Sequence, residues 1–122
     1  MPRWRPARVA EMVHREVASR LRTDLEDPDL GDVSITRVEV PRDLGSAVVF
    51  WLPLGGGTPS DTQLAALERA ARQLRGPVGR ALRLRTAPEL RFEFDQRHEE
   101  AIRVTSILHD LERGRPTAGE EE

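Results

Sequence analysis

The sequence predicts an α+β fold: a three-stranded sheet with helices packed on one face and a further helix at the C-terminal end. Three observations predict it. The hydrophobic spacing changes along the chain in the order helix, strand, strand, helix, break, helix, strand, helix. Three strands cannot enclose a core alone, so helices must cover one face of the sheet. The scale agrees, because 122 residues with 38% hydrophobic and 4% aromatic content make one small domain with a core of Leu, Val and Ala.

Each element has its own signature. Over residues 6–25, Val9, Met12, Val13, Val17 and Leu21 fall on one side of a helix, with Arg8, Glu11, Arg15, Ser19 and Arg22 on the other. This helix must stop before Asp27-Pro28, because a residue preceding proline avoids the helical region. Residues 32–40 are β-branched and read as a strand. Val33 and Ile35 share one phase and Val38 and Val40 the other, so a bulge is expected near Thr36-Arg37. Pro41 to Gly45 form a turn, and residues 46–53 a second strand, giving a hairpin. Ser60 caps the next helix, with Gln63 as the other half of a capping box. Leu64, Leu67, Ala71 and Leu74 are its expected buried stripe.

Pro77 is unfavourable inside a helix but suits the first position of a new one. A break at Gly76-Pro77 is therefore expected, with a restarted helix running to about Arg85. Thr86-Ala87-Pro88 is a turn. In the strand Glu89–Asp95, Leu90, Phe92 and Phe94 face one way and Arg91, Glu93 and Asp95 the other. A last helix is expected over Glu99–Leu111. The expected core contains Val9, Val13, Val17, Leu64, Leu67, Leu74, Phe92 and Phe94. Residues 112–122 read as an acidic, disordered tail, leaving residues 5–111 as the folded domain.

The formal net charge of −2 hides strong segregation. Residues 1–22 carry six Arg against two Glu, net +4. Residues 67–91 carry seven Arg against two Glu, net +5. Residues 23–46 and 92–122 are each net −5. Lys is absent, so every basic side chain is an Arg, whose planar fork of donors suits phosphate and stacks on bases. If the two basic segments lie side by side, the molecule is dipolar and presents one face to a polyanion. The plainer reading is a set of ordinary solvated faces.

Other chemistry finds little support. The chain has no Cys, hence no disulfide framework, thiolate site or Cys nucleophile. No apolar run approaches the roughly 20 residues of a membrane helix, and no signal peptide is visible. His98 and His109 are eleven residues apart on one helix, roughly 16 Å along its axis, too far to share a metal. Ser34, Ser46 and Ser106 lack a nucleophile-elbow frame. Gly55-Gly56-Gly57 lacks the Lys and Ser/Thr of a phosphate loop. The expectation is a non-enzyme with no cofactor and no metal. Gly76-Pro77-Val78-Gly79 is a G-x-x-G between two expected helices, among arginines. In KH domains such a loop clamps a nucleic-acid backbone; the plainer reading is a helix–turn–helix joint.

Several short stretches, in order, resemble bacterial ribosome-binding factor A. They are Arg8-Val9-Ala10-Glu11 with Glu16, Asp27-Pro28 with Leu30, and Val38-Glu39-Val40 leading to Asp43-Leu44 and Ala47. The most specific is Leu82-Arg83-Leu84-Arg85-Thr86-Ala87-Pro88-Glu89-Leu90-Arg91-Phe92, closed by Asp95. The resemblance covers about residues 5–111, most of the chain. The resemblance implies a type II KH-like fold. It also implies a cytoplasmic factor that binds the free small (30S) ribosomal subunit late in assembly, supports 16S rRNA end maturation and is linked to growth in the cold. It implies that an assembly GTPase takes part in release. The protein is expected to act as a monomer.

In that family an Ala-x-Gly kink replaces the KH glycine loop. The aligned residues here are Ala70-Ala71-Arg72, which keep the Ala and lose the Gly. Either the kink has moved to Gly76-Pro77, the favoured reading, or residue 72 bends without glycine and Pro77 adds a second irregularity. The expected rRNA-binding residues are Arg69, Arg72, Arg75, Gly76, Arg80, Arg83 and Arg85, extended by Arg8 and Arg15 of the first helix. The alternative is a KH-like protein-interaction module whose basic face is only solvated.

Overall fold

A computed structural model describes residues 5–23 and 25–112. The elements are α1 (Pro6–Thr23), β1 (Val33–Glu39), β2 (Ser46–Pro53), α2 (Asp61–Ala81), β3 (Glu89–Phe94) and α3 (Gln96–Glu112). The fold is α+β, as expected. Of the expected tail, Glu112 ends α3, and residues 113–122 lie outside the described residues.

The sheet order is β1-β2-β3. β1 and β2 form an antiparallel hairpin, and β2 and β3 are parallel. A parallel pair needs a crossover, and α2 supplies it. The expected bulge is present: the β1/β2 register shifts between Ile35 and Arg37, leaving Thr36 out of the ladder. In the turn, the Leu44 amide donates to the Pro41 carbonyl at 3.0 Å and the Gly45 amide to Asp43 Oδ1 at 2.9 Å.

Two contiguous clusters form the core between the sheet and α1/α2. The first holds Val9, Val13 and Val17 of α1, Ala47 and Val49 of β2, Leu74, Val78 and Leu82 at the end of α2, and Leu90. The second holds Leu30, Trp51, Ala66, Leu67 and Ala70, with Leu21 and Leu25 packed against it. The start of α1 thus shares a cluster with the end of α2, and the end of α1 lies against the start of α2. Both helices pack against the sheet and against each other, so the arginines of α1 and of α2 belong to the same helical layer. Phe92 and Phe94 are half-buried at the margin of this core. Phe92 packs against both clusters, and Phe94 meets Trp51 edge-to-face with centroids 6.1 Å apart.

Four expectations about α2 are corrected. α2 is one unbroken helix from Asp61 to Ala81, interrupted neither at Gly76-Pro77 nor at Ala70–Arg72, with Pro77 in its interior. Two local features make this tolerable. Gly76 has no Cβ to clash with the proline ring, which is what normally drives the preceding residue out of the helical region. The Gln73 carbonyl, deprived of its helical donor, belongs to an exposed residue and can bond water. Gly76-Pro77-Val78-Gly79 is therefore not a loop. Gly79 serves packing instead: a Cβ there would lie 2.6 Å from Ala87 Cβ and 3.0 Å from Ala87 Cα.

The second correction is the end of α2, at Ala81 rather than about Arg85. Arg83 adopts a left-handed conformation, φ 56°, and a Schellman motif closes the helix. The Leu84 amide donates to the Gly79 carbonyl and the Arg83 amide to the Arg80 carbonyl, each at 3.1 Å. Third, Leu64 is exposed, because the buried stripe runs through Ala66, Leu67, Ala70, Leu74 and Val78. Alanines let α2 lie close to the sheet and shift its inward face away from Leu64. Fourth, Ser60 Oγ accepts from the Gln63 amide at 3.1 Å, but the Gln63 side chain donates to the Leu30 carbonyl at 2.9 Å rather than closing a capping box.

α3 leaves the end of β3 and buries no residue; Ile102, Val104, Leu108 and Leu111 are about half exposed. Asp95, 2% exposed, joins the two elements. Its Oδ1 accepts the His98 amide at 3.0 Å as the cap of α3, which therefore starts at Gln96, before the expected Glu99. Its Oδ2 accepts the Thr36 hydroxyl and the Arg37 Nε. The bulge that frees Thr36 from the ladder is what lets both neighbours reach this carboxylate. Arg37 also covers the Phe50 ring, with Cζ 3.7 Å from its centroid.

Candidate nucleic-acid interface

The nine residues expected to bind rRNA are not equivalent. Arg69, Arg72, Arg75, Gly76 and Arg80 lie on α2, Arg83 and Arg85 just beyond it, and Arg8 and Arg15 on α1. All eight arginines are exposed. They differ in what holds their guanidinium groups.

Arg69 is tied to the acidic connection after α1. Its Nε and Nη2 donate to Asp27 Oδ2 at 3.0 and 2.8 Å, and Asp29 Oδ2 lies 3.6 Å from Nη2. The Arg69 hydrogen bond holds the Asp27 carboxyl below its ordinary pKa. Arg75 Nε donates to the Ala87 carbonyl at 3.1 Å, bracing the connection to β3. Arg15 pairs with Glu11 one turn away at 3.0 Å. Arg91, also in the basic segment, pairs with Glu89 at 3.0 Å. Arg8 also has a partner.

The guanidiniums of Arg72, Arg80, Arg83 and Arg85 make no ion pair or hydrogen bond with another described residue. Arg80 folds back over Gly76, with Nη1 3.2 Å from where a Cβ would sit. So Gly76, expected to offer its backbone to RNA, makes room for a neighbouring arginine and lies within the helix. Arg80 lies in the last turn of α2, and Arg83 and Arg85 follow directly after it. Arg72 stands apart, on the rim of an open groove of about 720 Å³ between α2 and β3. Leu64, Leu67, Ala71, Leu90 and Phe92 line this groove, with Glu68, Arg75, Glu89 and Arg91 among its charged groups.

The C-terminus of a helix carries partial negative charge, which attracts arginines and repels phosphate. Side-chain charge must therefore dominate any anion binding there. Three exposed guanidiniums without a carboxylate partner meet that requirement. Among the described residues, no group of three or more His, Asp or Glu could hold a metal ion, and no helix is long and apolar enough to cross a membrane.

Sequence reasoning misses two residues that shape this region. Asp95 reads only as the last residue of a strand motif, although an Asp between a strand and a helix is a cap signal. Gly79 reads as half of a ligand loop, and only its contact with Ala87 reveals its packing role.

A family model described as ribosome-binding factor A matches residues 5–108. A protein of that name from Desulforamulus reducens is 41% identical over 107 residues, covering 88% of this chain and 89% of the relative. Another from Thioalkalivibrio sulfidiphilus is 39% identical over 110 residues, covering 88% and 85%. The crystal structure of ribosome-binding factor A from Thermus thermophilus superposes with a TM-score of 0.63 at 26% identity, covering 75% of this chain and 97% of that one. A model of the Thermus thermophilus factor, fitted into a cryo-EM map of its complex with the 30S subunit, superposes with a TM-score of 0.57 at 27% identity, covering 69% and 88%.

Proposed function

The chain belongs to the ribosome-binding factor A family, and on that premise we propose that it binds the free small (30S) ribosomal subunit and its rRNA. The observation that carries this reading is the cluster of unpartnered arginines at the C-terminal turn of α2, in a chain related over most of its length to a factor fitted on the 30S subunit. Residues 5–111 form the ribosome-binding unit, and the protein works in the cytoplasm as a monomer. It supports late maturation of the subunit, including 16S rRNA processing, and growth in the cold. An assembly GTPase takes part in its release. Its role is binding rather than catalysis.

Co-sedimentation with immature and mature small subunits tests this. The expected result is stoichiometric association with free small subunits, stronger for the immature particle. Equal, weak association with both particles and with large subunits would leave only non-specific binding to RNA.

A further inference from the structure

Among the described residues, two outside glycine adopt the left-handed conformation, Leu44 and Arg83, both at φ 56°. This backbone crowds any side chain with a Cβ, which is why glycine usually fills the position closing a Schellman motif. Leu44 has a structural return, since its side chain packs against the first core cluster. Arg83 has none that is visible. Its side chain is exposed and its guanidinium has no partner among the described residues. Its backbone role in the motif, donating its amide to the Arg80 carbonyl, is one glycine would fill with less strain. An uncompensated strained residue among unpaired groups of one charge points to a ligand that uses its side chain.

The continuity of α2 adds an independent constraint. A KH-type glycine loop binds phosphate through free amides at a helix N-terminus. Here Gly76-Pro77-Val78-Gly79 lies inside an unbroken helix. Its amides belong to the helical ladder, and Pro77 has no N–H to offer. The segment cannot act as an amide cradle in this conformation.

Resting on the reading that the chain binds small-subunit rRNA, we infer that it grips rRNA phosphate with side chains at the C-terminal turn of α2. Arg83 is the anchor, Arg80 and Arg85 flank it, and the backbone of Gly76–Gly79 takes no part. The grip lies against the unfavourable pole of the helix, so it depends on side-chain charge and responds steeply to salt.

The test is Arg83→Gly in the full chain, followed by two readouts: urea denaturation, and titration onto purified small subunits at several salt concentrations. Arg91→Ala is the control, because it removes the same charge from an arginine already held by Glu89. The folding equilibrium of Arg83→Gly should shift about twofold to fivefold toward the native state. Its subunit affinity should fall about threefold to tenfold, and the slope of log K against log salt should decrease by about one. Arg91→Ala should stay near wild type in binding. Stability gained with binding unchanged overturns the inference, as does equal loss of binding in both variants, which reduces the effect to net charge. A stability that fails to rise removes the strain argument and overturns it too. If the wild type itself fails to bind small subunits, the broader functional reading falls first; if it binds and Arg83→Gly binds equally, only this inference falls.

Discussion

Trp51→Ala should lower folding stability by about 3–5 kcal/mol, measured by urea denaturation followed by circular dichroism. Trp51 is fully buried on the central strand and faces α2. It fills the second cluster beside Leu30, Ala66, Leu67 and Ala70, and packs edge-to-face with Phe94. Ala66 and Ala70 have no side chain that could move into the space, so the cavity term should be large. For a domain this small, such a loss approaches the whole stability. Trp51→Phe should cost much less. The indole Nε1 is buried with no hydrogen-bond partner among the described residues, and deleting that N–H removes a desolvation penalty of about 1–3 kcal/mol, which offsets part of the lost ring. If the two substitutions are equally damaging, ring volume does not govern this cluster.

Asp95→Ala should cost about 2–4 kcal/mol, combining the loss of a helix cap with that of charge-assisted hydrogen bonds at a buried carboxylate. It leaves the Thr36 hydroxyl and the His98 amide without acceptors and removes a carboxylate from Arg37. α3 buries nothing, so its first turn depends on this cap, and helical circular dichroism should fall with stability. Asp95→Asn separates the two contributions, since an amide oxygen still caps α3 but the charge is gone. Burial pushes the Asp95 carboxyl upward. The Thr36 hydroxyl, the His98 amide and Arg37 outweigh it, so its pKa lies below the ordinary carboxylate value. Its ionised form therefore adds stability that is fully present above about pH 4, the unfolded pKa, and is lost as pH falls through the lower folded value. The gap between wild type and Asp95→Asn should narrow below about pH 4. A gap that widens in acid would mean that the carboxylate is not stabilised in the native state.

Most of the architecture is legible in the sequence because it rests on local rules. The valine spacing of α1, the phase slip at Thr36-Arg37, the Ser60 cap and the alternation of β3 each express the period of one element. What the sequence hides depends on partners distant in the chain or on geometry without a residue signature. The proline rule predicts a break at Pro77, but Gly76 before it lifts the steric objection, and continuity of the helix then wins. Arg83 closes α2 in a conformation that glycine would have announced. Leu64 outranks Ala66 and Ala70 in hydropathy, so hydropathy alone points away from the small residues that set the real inward face. The site is the least legible part. The basic segment is plain from charge alone, but nothing local says that Arg69 is held by Asp27, 42 residues away, or that Arg75 braces Ala87. Only the fold sorts the arginines into held and unheld.

Whether the unheld arginines make the rRNA contact is tested most directly by the salt dependence of small-subunit binding, measured for the wild type and for the triple variant Arg72→Ala, Arg80→Ala, Arg83→Ala. Exposed arginines without partners contribute little to stability, so the variant should unfold within about 0.5 kcal/mol of the wild type. Its affinity should drop, and its slope of log K against log salt should be shallower by about one unit for each phosphate that is no longer neutralised. A triple variant that folds normally, binds at wild-type affinity and keeps the wild-type slope would contradict this assignment and place the subunit contact on another face.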